Sequence, residues 1–227
     1  MEGRRQAYRP FFARPDALWG EFFAGGFTKA RHSRTVNLTF AALMTGIAIL
    51  LSYIEIPLAF FAPWLKLDFS LTPLLLLGLS VGPALLVVSV LVTNLVHILG
   101  GTTGGVGELA NVIVGLSFLL PPTLMYRANR TRKAAVTGMA AGSLLMVVAG
   151  VLANRCILLP VFFGAGFEGA LQGMGMTLDG YLWGAIAPFN LVKGVANAAL
   201  AYLLYKRLSI LLGRADHGFA AHGAVRG

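Results

Sequence analysis

Long apolar runs, separated by clusters of basic residues, constrain this sequence more than any other feature. Several runs approach or exceed the roughly 20 residues that an α-helix needs to cross a bilayer core. Hydrophobic residues make up 57% of the chain and charged residues 12%, against about half and about a quarter in an ordinary soluble domain. The length of 227 residues therefore indicates a number of membrane spans and not a number of soluble domains. We predict an all-α integral membrane protein.

The positions of the basic residues decide what the formal net charge of +9 means. Fifteen of the 18 Lys and Arg lie within residues 4–34, 127–133 and 206–226, and apolar runs separate the three groups. The positive-inside rule places all three groups in the cytoplasm, which gives an even number of spans and both termini inside. A membrane explains this distribution better than a nucleic acid does, so we expect no nucleic-acid partner.

We predict a bundle of six transmembrane helices, over about residues 35–54, 69–79, 84–99, 108–126, 134–161 and 178–205. The second span is short and contains Pro73, so hydropathy alone would allow a re-entrant segment. It is predicted to cross because residues 127–133 would otherwise lie outside. Glycine-rich outer loops are expected at 100–107 and 162–177. The membrane domain covers 35–209, between a cytoplasmic arm at 1–34, interfacial or disordered, and a cytoplasmic tail at 210–227.

Sequence motifs for chemistry are absent. Cys156 is the only cysteine, which excludes an intramolecular disulfide and a cysteine-rich metal site. The chain has no phosphate-binding loop of the G-x-x-x-x-G-K-[ST] type, no G-x-S-x-G elbow and no H-E-x-x-H pair. We therefore expect no catalytic residues, no metal site and no ATP hydrolysis by this chain.

Polar residues inside the spans gather in the outer half of the membrane. Burial of a polar group in hydrocarbon costs on the order of several kcal/mol unless the group is paired or hydrated. One such residue would more often join two helices by a hydrogen bond, but a set from several helices predicts a shared cavity that opens outward. The set comprises Glu55, Asn94, His97, Glu108, Asn111, Asn154, Arg155, Asn190 and Lys193.

The last span carries the most informative pattern in this set. Asn190 and Lys193 are three residues apart and share one helix face, which Asn197 continues. An amide offers a donor and an acceptor and an ammonium group offers donors only, which suits the edge of a heterocycle with carbonyls and ring nitrogens. For His97, an interfacial position and a place in the cavity remain equally open.

Two pairs of small residues occur at helical spacing, Ala42 with Gly46 and Gly138 with Gly142. Such pairs allow close helix contact and most often pack a bundle. The more specific alternative is that such a pair forms a docking face for another membrane protein.

The sequence resembles the substrate-binding S components of energy-coupling-factor (ECF) vitamin transporters, and most closely the riboflavin-specific RibU family. The resemblance covers about residues 38–208. It is carried by the segment from Ile54-Glu55-Ile56-Pro57 to Leu67-Asp68-Phe69, by GGVGELAN at 104–111, by Asn154 with Leu158-Leu159-Pro160, and by PFNLVKG at 188–194.

This resemblance implies a six-helix bundle that binds riboflavin in an outward-facing pocket. It also implies a multi-pass protein of a bacterial cell membrane that acts with a transmembrane coupling protein and two ATP-binding-cassette ATPase subunits. Riboflavin would be the transported ligand, so no cofactor is expected. By the same resemblance Asn154, Asn190 and Lys193 bind the flavin and Glu55 lies in the loop that closes over it. Ala42 and Gly46 match the face that contacts the coupling protein.

The chemistry of these side chains agrees with a flavin. Asn154, Asn190 and Lys193 could bind the polar edge of the ring system, and Glu55, Asp68 or Glu108 could accept hydrogen bonds from the ribityl hydroxyls. Asn94, His97 and Asn111 are further candidates for the pocket.

Two alternatives remain open at this stage. The first is an S component for another vitamin or for a phosphorylated flavin. The second is an intramembrane enzyme that uses Glu108 and His97 for acid–base catalysis, although no nucleophile or metal set supports it.

Overall fold

The computed structural model describes residues 34–58, 65–100 and 104–204. Within these ranges the helices are α1 (Arg34–Ser52), α2 (Leu71–Val81), α3 (Pro83–Ile98), α4 (Val106–Asn129) and α5 (Arg132–Ala153), with strands β1 (Ile56–Pro57) and β2 (Lys66–Leu67) between α1 and α2. A π-helical turn, Asn154–Leu158, joins α5 to α6 (Leu159–Phe163), and a 3₁₀ turn, Gly164–Gly166, leads to α7 (Phe167–Gly173). The last helix, α8, spans Gly180–Leu204 and is π-helical over Gly180–Ile186.

The helices confirm a mostly helical membrane fold. Three helical stretches are long and apolar enough to cross a membrane, namely α4, the stretch Arg132–Gly173 that contains α5 to α7, and α8; α1, α2 and α3 form shorter apolar helices. Helices α1 to α5 and α8 match the six predicted spans in order. The side on which the termini lie stays a prediction. Almost all of the predicted arm at 1–34, and the whole tail at 210–227, lie outside the described residues.

The segment predicted as a loop at 162–177 contains a helix, so that part of the expectation was wrong. Helix α7 forms there because Phe167 and Leu171 are one turn apart and pack beside Tyr181 and Leu182 of α8. Five glycines in the segment obscured this apolar pair in the sequence.

The two pairs of small residues behave differently. A Cβ on Gly138 or Gly142 would overlap the backbone of α4 at Pro122 or Phe118, so these glycines allow α4 and α5 to pack backbone to backbone. A Cβ on Gly46 would meet nothing within 4 Å. The pair in α5 therefore packs the bundle, and the pair in α1 faces outward.

Helix α2 is short and deeply buried. Its 11 residues give a length of about 16 Å at 1.5 Å per residue, roughly half of a bilayer core. Leu74, Leu75 and Leu77 are almost fully buried, and α2 contacts α1, α3 and α4. Protein therefore surrounds α2, and the non-helical residues 65–70 precede it. Irregular backbone is tolerated in a membrane only where protein buries it and supplies its hydrogen bonds.

Candidate functional site

A buried ion pair joins the segment before α2 to the middle of α8. Lys193 Nζ lies 2.6 Å from Asp68 Oδ2, and the two side chains are 9% and 13% exposed. The other carboxylate oxygen, Oδ1, accepts a hydrogen bond from the backbone N–H of Ser70 at 3.0 Å and another from the Ser70 hydroxyl. Both oxygens of Asp68 are thus occupied, and the carboxylate fixes the position of the ammonium group.

Asn197 holds the same segment from one turn further along α8. Its Nδ2 donates to the backbone carbonyl of Asp68 at 3.1 Å and to that of Lys193 at 3.0 Å. Its Oδ1 accepts from the Thr72 hydroxyl at 2.9 Å. Because the Asp68 carbonyl lies outside a helix, it needs a donor that the helical backbone does not supply, and Asn197 is that donor.

Asn154 and Asn190 meet at Gly150 of α5. Asn154 Nδ2 donates to the Gly150 carbonyl at 2.8 Å, and Asn190 Nδ2 donates to the Ile186 carbonyl at 2.9 Å. A Cβ on Gly150 would overlap the carboxamide of Asn190, so glycine at this position lets Asn190 pack against α5. The Tyr181 hydroxyl donates to Asn154 Oδ1 at 2.9 Å. Asn154 and Asn190 thus both contact Gly150, and Lys193 lies one turn beyond Asn190 on α8.

The helix geometry around these amides departs from the ordinary α-helix. Asn154 begins the π-helical turn after α5, and Tyr181 lies in the π-helical start of α8. A π-helical turn contains one residue more than an α-helical turn, and such turns often occur at functional sites. Here the two turns face each other across the hydrogen bond between Tyr181 and Asn154.

A second polar cluster lies where α1, α3 and α4 meet. His97, at the end of α3, has its Nδ1 3.2 Å from Glu108 Oε1, in the first turn of α4. Its Nε2 lies 3.9 Å from Oε1 of Glu55, in the turn after α1. Glu55 also pairs with Lys66 of β2, and β2 is antiparallel to β1. We call this end of the bundle the Glu108 end and the opposite end, with Arg127 to Lys133, the Arg127 end.

The remaining predicted residues take different positions. Asn94 is partly buried and bonds the Val90 carbonyl of its own helix at 2.9 Å. Asn111 is exposed on α4, and within the described ranges no hydrogen bond or ion pair joins it to the other site residues. Ala42 and Gly46 are exposed and line a shallow apolar groove on α1 with Leu43, Ile47, Ile49 and Leu50.

Four residues of the site were not among the sequence-predicted set: Ser70, Thr72, Tyr181 and Asn197. The i+4 spacing from Lys193 to Asn197 was a usable signal, because it places both on one helix face. Thr72 and Tyr181 gave none, since hydroxyl-bearing side chains occur throughout apolar helices and their direction depends on packing.

The comparison with known proteins now decides the family. A family model for the substrate-specific component of ECF transporters matches residues 36–205. The chain belongs to this family. The resemblance drawn from GGVGELAN and PFNLVKG is thereby confirmed, and the S component is a transporter subunit, not an enzyme.

Individual relatives of this S component agree. The riboflavin transporter RibU of Staphylococcus aureus is 32% identical over 189 residues, which cover 83% of this chain and 98% of that protein. The riboflavin transporter FmnP of Bacillus subtilis is 26% identical over 175 residues, which cover 76% of this chain and 91% of that protein. A solved S component of a bacterial ECF transporter superposes with a TM-score of 0.67 at 30% identity, covering 79% of this chain and 99% of that one.

Proposed function

We propose that this S component captures riboflavin outside a bacterial cell for uptake that partner ATPases drive. The observation that carries the proposal is the buried polar face of α8, where Asn190 and Lys193 are buried, together with the buried Asn154 at the end of α5. Polar groups at such positions are costly and are typical of substrate pathways. The names of two relatives support riboflavin as the ligand.

The chemistry of this face suits the polar edge of an isoalloxazine ring. The ammonium group of Lys193 has three N–H donors, and one of them points to Asp68, so others can serve a flavin carbonyl. The amides of Asn154 and Asn190 offer both donors and acceptors. Asp68 was predicted to accept from ribityl hydroxyls, and in the structure its carboxylate accepts from Lys193 and from Ser70. We therefore assign Asp68 the positioning of Lys193.

The Glu108 end is the proposed mouth of the pocket and faces the outside. Glu55 and Glu108 are the carboxylates there that remain candidates for the ribityl hydroxyls. Glu55 belongs to the segment between α1 and α2, which connects through β1 and β2 and is the proposed cover of the pocket. Asn94, His97 and Asn111 belong to the wall of this mouth, with Asn111 the most exposed of the three.

A purified sample gives the direct test of the ligand. We expect the protein in detergent to carry the visible absorption of a flavin, and added riboflavin to lose fluorescence on binding. Asn190→Ala should weaken binding because it removes a buried amide from the site. Asn129→Ala is the matched control, since Asn129 is an exposed amide at the Arg127 end. Failure to bind riboflavin at sub-micromolar concentration, by fluorescence and by equilibrium dialysis, would contradict the proposal.

The groove on α1 is the proposed contact for the transmembrane coupling protein, which in turn carries two ATPase subunits. Its support is the contrast between Gly46, which packs against nothing within 4 Å, and Gly138 and Gly142, which pack inside the bundle. Gly46→Leu should leave riboflavin binding intact and abolish co-purification with the coupling protein and ATPases. Gly169→Leu is the control, because Gly169 also has open space around it. If the coupling protein co-purifies equally with both variants, α1 is not part of the interface.

A further inference from the structure

His97 is the only residue in the described ranges with two carboxylates facing its two ring nitrogens. Glu108, on one side, is 4% exposed, and Glu55, on the other, is 30% exposed; the imidazole itself is 18% exposed. The two carboxylates come from different elements, because Glu108 begins α4 and Glu55 follows α1. The ring therefore stands between a fixed helix and the segment that is the proposed cover of the pocket.

The protonation state of the ring decides how many of these contacts it can make. A neutral imidazole has one N–H donor and one acceptor nitrogen, so it donates to one carboxylate and presents a lone pair to the other. An imidazolium has two N–H donors and carries the charge that both carboxylates attract. Only the charged ring can therefore bridge Glu55 to Glu108.

Two further groups lie beside the ring or beside its carboxylate partners. Tyr53 lies against it with ring centroids 5.1 Å apart, and Lys66 pairs with Glu55. Residues 59–64 (Ala-Phe-Phe-Ala-Pro-Trp) and 101–103 (Gly-Thr-Thr) contain no titratable side chain.

We propose that His97 is a positioning residue whose imidazolium form ties the segment after α1 to α4 and so slows the release of bound ligand as pH falls. The bridge closes the Glu108 end without touching the polar face of α8, which holds the ligand. This inference rests on the proposed function, because it assumes that riboflavin leaves through the Glu108 end.

Release kinetics provide the first test. The protein is loaded with riboflavin, and the recovery of flavin fluorescence after dilution is followed from pH 6 to pH 8. We expect wild-type release to slow by roughly twofold to fivefold at pH 6, the effect of one partly exposed ion pair. His97→Gln should release quickly at every pH, and His97→Arg, with a permanent cation that reaches two carboxylates, should release slowly at every pH.

Two results would overturn the inference while leaving the proposed function intact. One is a wild-type release rate that does not change with pH, and the other is a pH dependence that survives in His97→Gln. Absence of riboflavin binding by every variant at every pH would instead contradict the proposed function.

A distance measurement on the protein without ligand tests the bridge directly. Spin labels at Ile56→Cys and Ala128→Cys, in a Cys156→Ser background, report the distance from the segment after α1 to the Arg127 end; all three positions are exposed. The distance distribution should be narrower at pH 6 than at pH 8, and His97→Gln should remove the difference. Equal widths at both pH values, or narrowing that persists in His97→Gln, would contradict the bridge.

Discussion

Lys193 illustrates how a single residue in this bundle depends on its partner. Its ammonium group is buried and lies 2.6 Å from Asp68 Oδ2. Removal of one member of a buried ion pair leaves the other charge uncompensated and costs about 3–5 kcal/mol, whereas loss of both members is often nearly neutral. We therefore expect Lys193→Met and Asp68→Asn each to lower the melting temperature in detergent more than the double variant does. Additive losses would show that the two side chains act independently.

Tyr181 gives a second prediction at the scale of one residue. Its hydroxyl donates to Asn154 Oδ1 at 2.9 Å, and a net hydrogen bond contributes about 0.5–1.5 kcal/mol. Tyr181→Phe should therefore weaken riboflavin binding by roughly twofold to tenfold, because the Asn154 amide loses its orientation. Tyr202→Phe is the matched control: its hydroxyl accepts from Arg132 at the Arg127 end. Titration of riboflavin fluorescence measures the affinity of both variants. Equal riboflavin affinities for Tyr181→Phe and Tyr202→Phe would show that Tyr181 does not support the binding site.

Sequence reasoning identified the residues whose chemistry conflicts with their surroundings. Asn154, Asn190 and Lys193 are polar groups within apolar runs, so position alone marks them. Their partners could not be found in this way. The pairing of Asp68 with Lys193 depends on the path of residues 65–70, and the packing of Asn190 against α5 depends on Gly150. Both are facts about packing that a single sequence does not encode locally.

At the scale of elements, the contact between α4 and α5 has no space to spare. A Cβ on Gly142 would overlap the Phe118 carbonyl of α4, and overpacking of this kind costs about 1–3 kcal/mol. Gly142→Ala should therefore lower the melting temperature by several degrees. Gly46→Ala makes the same chemical change where nothing lies within 4 Å, and it should leave the isolated protein as stable as wild type. Thermal unfolding in detergent measures both, and equal losses would contradict the packing argument.

The elements that sequence predicted least well are those with the fewest residues. Hydropathy alone did not distinguish α2 from a re-entrant segment, because its 11 residues are too few to span a bilayer as a helix. The structure shows why so short a helix suffices: neighbouring helices surround it, and Asn197 supplies a donor to the irregular backbone before it. Helix α7 was missed because glycines interrupt its apolar pattern. The long helices α4 and α8 were predicted to within three residues at each end. The fifth predicted span, 134–161, ran past the end of α5 through the π-helical turn and into α6.

For the whole molecule, the distribution of charge predicts its orientation. Among the described residues the carboxylates Glu55 and Glu108 lie at the Glu108 end, and Arg127, Arg130, Arg132 and Lys133 lie at the other. The positive-inside rule then places the Arg127 end in the cytoplasm. The structure supports α2 as a crossing helix, because Glu55 before it lies at the Glu108 end and Gly82 after it lies beside Arg127.

Three single cysteines in a Cys156→Ser background test this orientation in whole cells: Ile56→Cys, Ala128→Cys and Gly169→Cys. All three positions are exposed. We expect a membrane-impermeant maleimide to label positions 56 and 169 in intact cells, and position 128 only after permeabilisation. Labelling of 56 and 128 but not 169 would contradict the structure, which places positions 56 and 128 at opposite ends of the bundle. Labelling of 128 alone would show that the whole bundle is inverted, which would place the proposed pocket mouth on the wrong side for capture from outside.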